Sequence, residues 1–218
     1  MAAAVSMRWR RILDDDIHGL HPLKLQFLMF PVLQAFNFST NSYLLYQNKG
    51  LSKYRMAECV ASYLLGISGL AHANLTNALF RNSHTTTSSR MSFANLFAID
   101  NDTDRGEADR AAEMRGDKIQ YDPEGDIALE GKLLPLVSNE ELSPLLAKDF
   151  RGVPATYVIT GGVDVLRDDG TLFARRLRQS GQVPVVQHRN YPQLGHNSGL
   201  SAVIERDWIQ FLERHPVW

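Results

Sequence analysis

One cysteine, no long apolar run and no surplus of charge already narrow what this chain of 218 residues can do. Cys59 stands alone, so neither an intramolecular disulfide nor a zinc site built on thiolate pairs is available, and a buried, inert thiol is expected. The longest apolar candidate, residues 25–33, is interrupted by Gln26 and Pro31. It falls short of the roughly 18–20 residues a spanning helix needs, so no transmembrane segment is expected. With 23 basic against 24 acidic side chains there is no basic face to neutralise phosphates, which removes nucleic acid as an expected partner. Residues 1–11 place their basic side chains after the apolar ones, the reverse of a signal peptide. His18, His21, His72, His84 and His215 lack the spacing of metal ligands, and nothing asks for an organic cofactor, so none is expected. There is no internal repeat and no Gly-x-Ser-x-Gly string. The nearest match, Gly66-Ile67-Ser68-Gly69-Leu70, has the wrong glycine spacing and reads as a helix end.

What is present fits one α/β domain, with 44% apolar and 22% charged residues. Residues 2–13, free of Gly and Pro, predict a helix that ends before Asp14 and starts without a cap, as if cut from something longer. Residues 24–30, closed by Pro31, predict a strand buried on both faces. From Gln34 to about Asp149 the composition turns polar, with helical patches at 56–65, 73–80 and 107–114, and reads as a partly helical insertion. Within it the polar run 82–89 is expected to be an exposed loop.

The last quarter alternates regularly: a strand at 153–160 ending at Gly161-Gly162, a helix at 171–180 stopped by Gly181, a strand at 183–188 and a helix at 200–214. Such an order predicts a parallel sheet with right-handed crossovers. Arg175, Arg176 and Arg178 are expected to form a solvated helix face, and His188 to end its strand.

In sheets of this kind the side chains just past the carboxyl ends of the strands converge. Asp164 follows the first of these strands and His196 lies in the loop after the second, so adjacent parallel strands would bring them together. A carboxylate on one imidazole nitrogen leaves the other to take a proton from a nucleophile. Asp164 and His196 are therefore the candidate catalytic residues, with Asp168 or Asp169 expected to cap the following helix. Sequons at Asn37, Asn74 and Asn101 are candidate glycosylation sites.

The runs Ser143-Pro144-Leu145-Leu146, Val153 to Thr160, Asp164-Val165-Leu166-Arg167-Asp168-Asp169-Gly170 and Phe173-Ala174-Arg175-Arg176-Leu177 resemble the hormone-sensitive-lipase-like group of α/β-hydrolases. Within it they are most similar to the arylacetamide deacetylase and neutral cholesterol ester hydrolase branch. Residues 30–38 resemble the strand-to-cap junction of those enzymes, and Ala2-Ala3-Ala4-Val5 the helix after their nucleophile elbow. The histidine loop departs from the family, with Leu194-Gly195-His196-Asn197 where relatives usually carry an acidic residue, Gly, a bulky residue and His-Gly.

The resemblance implies the C-terminal half of an α/β-hydrolase fold. Residues 1–33 would supply a helix and strand, 34–149 a cap over an apolar acyl pocket, and 150–218 the remaining sheet with Asp164 and His196. The elbow serine and the oxyanion loop would lie upstream. The implied activity is hydrolysis of a small apolar ester, amide or lipid ester, absent from the 218 residues alone; the first strand would be left with an unpaired edge. A non-catalytic lipid-binding or interaction protein is the alternative. The implied compartment is the lumenal side of the endoplasmic reticulum, with membrane association through an anchor outside these residues.

Overall fold

The computed structural model describes residues 2–14, 21–66, 69–98, 124–199 and 201–216. The expected helix at 107–114 and the sequon at Asn101 lie outside them. Three parallel strands, β1 (Leu25–Met29), β2 (Ala155–Gly161) and β3 (Val186–Tyr191), form a sheet in the order β1-β2-β3, with Leu25 opposite Ala155 and Thr156 opposite Val186. Alternation along the strands divides the sheet into two faces. Leu28 and Val158 point to one face, where α1 (Ala2–Asp14) covers them with Ala3 and Met7. The helix between β2 and β3, which spans Arg167–Ser180, adds Leu172, Phe173 and Leu177 to the same layer. Phe27, Tyr157 and Ile159 point to the other face, against Trp208 and Phe211 of the closing helix Ala202–Arg214. The Phe27 and Trp208 rings lie 4.4 Å apart and Tyr157 and Phe211 4.9 Å. Each large side chain so buried contributes roughly 1.5–3 kcal/mol.

The insertion contains α2 (Asn41–Leu45), α3 (Lys53–Leu65), α4 (Leu70–Arg81), α5 (Thr87–Ser92), α6 (Ala94–Phe97) and α7 (Ile127–Val137). Its core of Phe36, Phe38, Tyr43, Met56, Val60, Leu79 and Val137 is continuous with Val165 and Leu166, the entry to the helix after β2. That helix is α8, and the closing helix is α9. Among the described residues no helix is long and apolar enough to cross a membrane.

Several sequence expectations need correction. The polar run 82–89 is not an exposed loop: Asn82, His84 and Thr85 are fully buried and Thr87 opens α5. The arm at 33–40 has no ladder of its own, and these side chains satisfy it. The Asn82 carboxamide accepts from Phe38 N at 2.7 Å, His84 Nε2 lies 3.0 Å from Ala35 O, and Thr85 Oγ1 donates to Phe36 O at 3.3 Å. β1 is buried along one side only, with Leu25 and Phe27 partly covered and Met29 exposed. β3 begins after Pro184, which has no N–H for the ladder, so His188 sits within the strand rather than at its end. There its Nε2 is 2.9 Å from Thr160 Oγ1.

Of the α8 arginines expected on a solvated face, Arg178 is exposed, but Arg175 and Arg176 are half-buried and committed to backbone carbonyls. Arg176 donates to Leu145 O and Ala147 O and stacks on Phe150, while Arg175 donates to Ala98 O. Cys59 is exposed, because the buried stripe of α3 runs through Met56, Ala57, Val60 and Ala61 and leaves position 59 off it.

α8 sits so close to β2 that a Cβ on Gly170 would fall 2.4 Å from Thr160 Cγ2. Gly170→Ala, which gains helix propensity, is nonetheless expected to destabilise the fold by about 1–3 kcal/mol through overpacking, read from the urea midpoint.

Candidate active site

The carboxyl ends of the three strands each deliver one side chain to the same place: Phe30 after β1, Asp164 after β2 and His196 after β3. The two glycines ending β2 make this possible. A Cβ on Gly161 would lie 2.4 Å from Leu194 O, and one on Gly162 would lie 2.5 Å from Pro192 Cα. With hydrogen in place of a side chain, the two loops join backbone to backbone, Gly162 N donating to Tyr191 O at 2.8 Å and Val163 N to Leu194 O at 3.1 Å.

Asp164 is 1% exposed. Its Oδ1 accepts from Leu166 N at 3.0 Å, and its Oδ2 lies 3.1 Å from His196 Nδ1. The imidazole remains 29% exposed at its side chain. With Nδ1–H committed to the carboxylate, Nε2 is the nitrogen left to take a proton, and it has no hydrogen-bond partner among the described residues. Phe30 packs against it with its ring tilted by 53°, 5.9 Å between ring centroids. The Phe30 backbone is in the left-handed region, φ 46°, pinned by its N–H to Ile159 O at 2.9 Å. Sequence reasoning missed Phe30, since a residue before proline is expected to be extended.

Asp168 and Asp169 are buried in the first turn of α8, which begins at Arg167 rather than Thr171 and has no side-chain cap. Neither acts as the expected cap. Asp168 accepts from Arg167 Nε and Nη2 at 3.1 and 2.9 Å and from Ser42 N at 2.7 Å. Asp169 faces Gln34 Nε2 at 3.0 Å and Leu33 N at 3.3 Å, with no cation bonded to it in the described structure. Burial pushes its carboxyl up to about 8. Burial also pushes His84 and His188 down to about 4.

A mostly apolar cavity of about 350 Å³ is lined by Ala4, Val32, Met56, Cys59, Val60 and Tyr63, with the Glu141 carboxylate also in its wall. Gly66 ends α3 with φ 85°, and residues 67–68 of the near-match to an elbow lie outside the described set.

Residues 102–199 match a family model described as the alpha/beta hydrolase fold. The chain is 32% identical over 193 residues to arylacetamide deacetylase of Bos taurus, covering 86% of this chain and 44% of that protein. It is 30% identical over 184 residues to neutral cholesterol ester hydrolase 1 of Rattus norvegicus, covering 76% and 39%. A bacterial heroin esterase structure aligns at 21% identity and TM-score 0.47, over 97% of this chain and 45% of that one. The fold is that of the α/β-hydrolases, and the sequence is similar to that of their arylacetamide deacetylase and neutral cholesterol ester hydrolase members. The chain spans less than half the length of these relatives.

The raised Asp169 carboxyl predicts a pH dependence of stability. The folded state holds a proton that the unfolded chain releases near 4, so this stabilisation is complete below about 4 and is lost as pH rises to about 8. The two buried histidines act oppositely, but only below the unfolded histidine value of about 6.5. Between about pH 6.5 and 8, then, the wild type is expected to lose about 1–2 kcal/mol that Asp169→Asn does not, by urea denaturation at each pH.

Proposed function

We propose that these residues form the acid–base half of a serine-type carboxylic-ester hydrolase acting on small apolar esters, amides or lipid esters. The single observation that carries this reading is the 3.1 Å contact from Asp164 Oδ2 to His196 Nδ1, with the opposite nitrogen unpaired among the described residues. In that role Asp164 orients the ring, and His196 Nε2 removes the proton of a serine hydroxyl as its oxygen attacks the acyl carbon. The same nitrogen then returns the proton to the departing alcohol or amine. Water repeats the cycle to release the acid. The relatives' names, a deacetylase and a cholesterol ester hydrolase, support the reaction class.

The 218 residues contain no Gly-x-Ser-x-Gly, so in this reading the serine and oxyanion donors come from sequence outside them. The cavity beside Val32 and Tyr63, walled by the insertion in its proposed role as cap, is the space proposed for an apolar acyl group. No organic cofactor or metal takes part in the proposed chemistry.

The test is made on the longest product translated in frame with these residues, using a p-nitrophenyl ester. His196→Ala is expected to lower kcat roughly a millionfold and Asp164→Ala roughly ten-thousandfold. The 218 residues alone should neither hydrolyse the ester nor bind a fluorophosphonate. Full activity in the His196→Ala protein would remove the reading.

The compartment proposed is the endoplasmic reticulum lumen. There Asn74, exposed on α4, is the sequon expected to carry a glycan. The Asn37 carboxamide oxygen is occupied by Ser39 N at 2.9 Å and Ser39 Oγ at 2.6 Å. Endoglycosidase treatment of secretory-pathway material should increase gel mobility, and Asn74→Gln should reduce that shift.

A further inference from the structure

We infer that Gln34 and Asp169 are positioning residues for the Asp164–His196 pair, transmitting to it the placement of the arm that opens the insertion. The inference rests on the reading of that pair given above. Asp164 directs Oδ2 at the imidazole only while its turn holds shape. That turn is the entry to α8, with Arg167 N donating to Asp164 O at 3.1 Å and Gly170 N to Leu166 O at 3.2 Å. Since Leu166 caps α8 without a side-chain hydrogen bond, the entry depends on what binds its first turn from outside.

The 33–42 arm supplies those bonds. Ser42 Oγ donates to Val165 O at 2.7 Å, and Ser42 N donates to Asp168. Asp168 is additionally held by its neighbour Arg167, whereas among the described residues the side-chain bonds of Asp169 all come from the arm, through Gln34 and Leu33 N. Gln34 is itself fully buried and fully used: Oε1 accepts from Phe36 N at 2.8 Å and Asn37 N at 2.7 Å, and Nε2 also donates to Asn37 O at 2.8 Å. A side chain so committed moves with its loop. The loop continues into Phe36, Phe38 and Tyr43 of the insertion core, and the buried Tyr43 hydroxyl has no hydrogen-bond partner among the described residues and lies in the field of Asp164, Asp168 and Asp169. A shift of the insertion, as when an acyl group seats beneath it, therefore reaches Asp164 through the Gln34–Asp169 contact.

The probe is hydrogen exchange of the His196 Nδ1–H, followed by NMR in the isotope-labelled 218-residue chain. Asp164→Ala sets the rate of the unpaired ring. Ser6→Ala, which removes a buried 2.8 Å bond to Gln26 Oε1 beneath β1, sets the effect of a comparable loss elsewhere. Gln34→Ala is expected to speed exchange at least tenfold, toward the Asp164→Ala rate, while Ser6→Ala leaves it unchanged. Asp169→Asn, nearly isosteric, is expected to do the same and carries the test if Gln34→Ala does not fold. Lowered melting temperatures with unaltered exchange in both variants would overturn the inference and leave the acid–base reading standing. Unaltered exchange in Asp164→Ala would overturn both.

Discussion

A buried carboxylate with one oxygen tied to its own turn has only one direction left to act, and at Asp164 that direction is the His196 ring. The rest of the structure can be understood as what this contact requires. Two glycines at the end of β2 bring the histidine loop within bonding distance. The parallel register places both loops at the same end of the sheet. Phe30, held at positive φ, packs on the ring, and Nε2 is the nitrogen left unpaired among the described residues. Together these features orient one imidazole.

Much of this was legible in the residues. A β-branched run ending in Gly-Gly, a helix stopped by Gly181 and a second strand before His196 carry local signals that tertiary context does not override. The order strand, helix, strand then forces Asp164 and His196 together. What was not legible is polar and non-local. Asn82, His84 and Thr85 look like loop residues, because nothing nearby in sequence shows that an irregular arm some forty residues earlier needs their hydrogen bonds. Asp168 and Asp169 look like caps, because only the folded arm shows Gln34 and Ser42 arriving to claim them. Arg176 looks solvated until the carbonyls of Leu145 and Ala147 are placed beside it.

The same non-local bonds give the insertion its proposed importance. Its apolar core does not stand apart from the sheet but runs into Val165 and Leu166, next to the proposed catalytic acid. A covering segment fastened at that point would bear on substrate access and on the acid–base pair together. Such coupling gives a physical route by which the apolar group under the insertion could influence the chemistry at its edge.

The central claim is that Asp164 and His196 act as one unit on a serine. A double-mutant cycle on ester hydrolysis tests it most directly, comparing Asp164→Ala, His196→Ala and both together in the longest in-frame product. If the aspartate works only through the imidazole, the double variant loses no more than His196→Ala alone. Losses that multiply would show that the two residues act independently and would contradict the account.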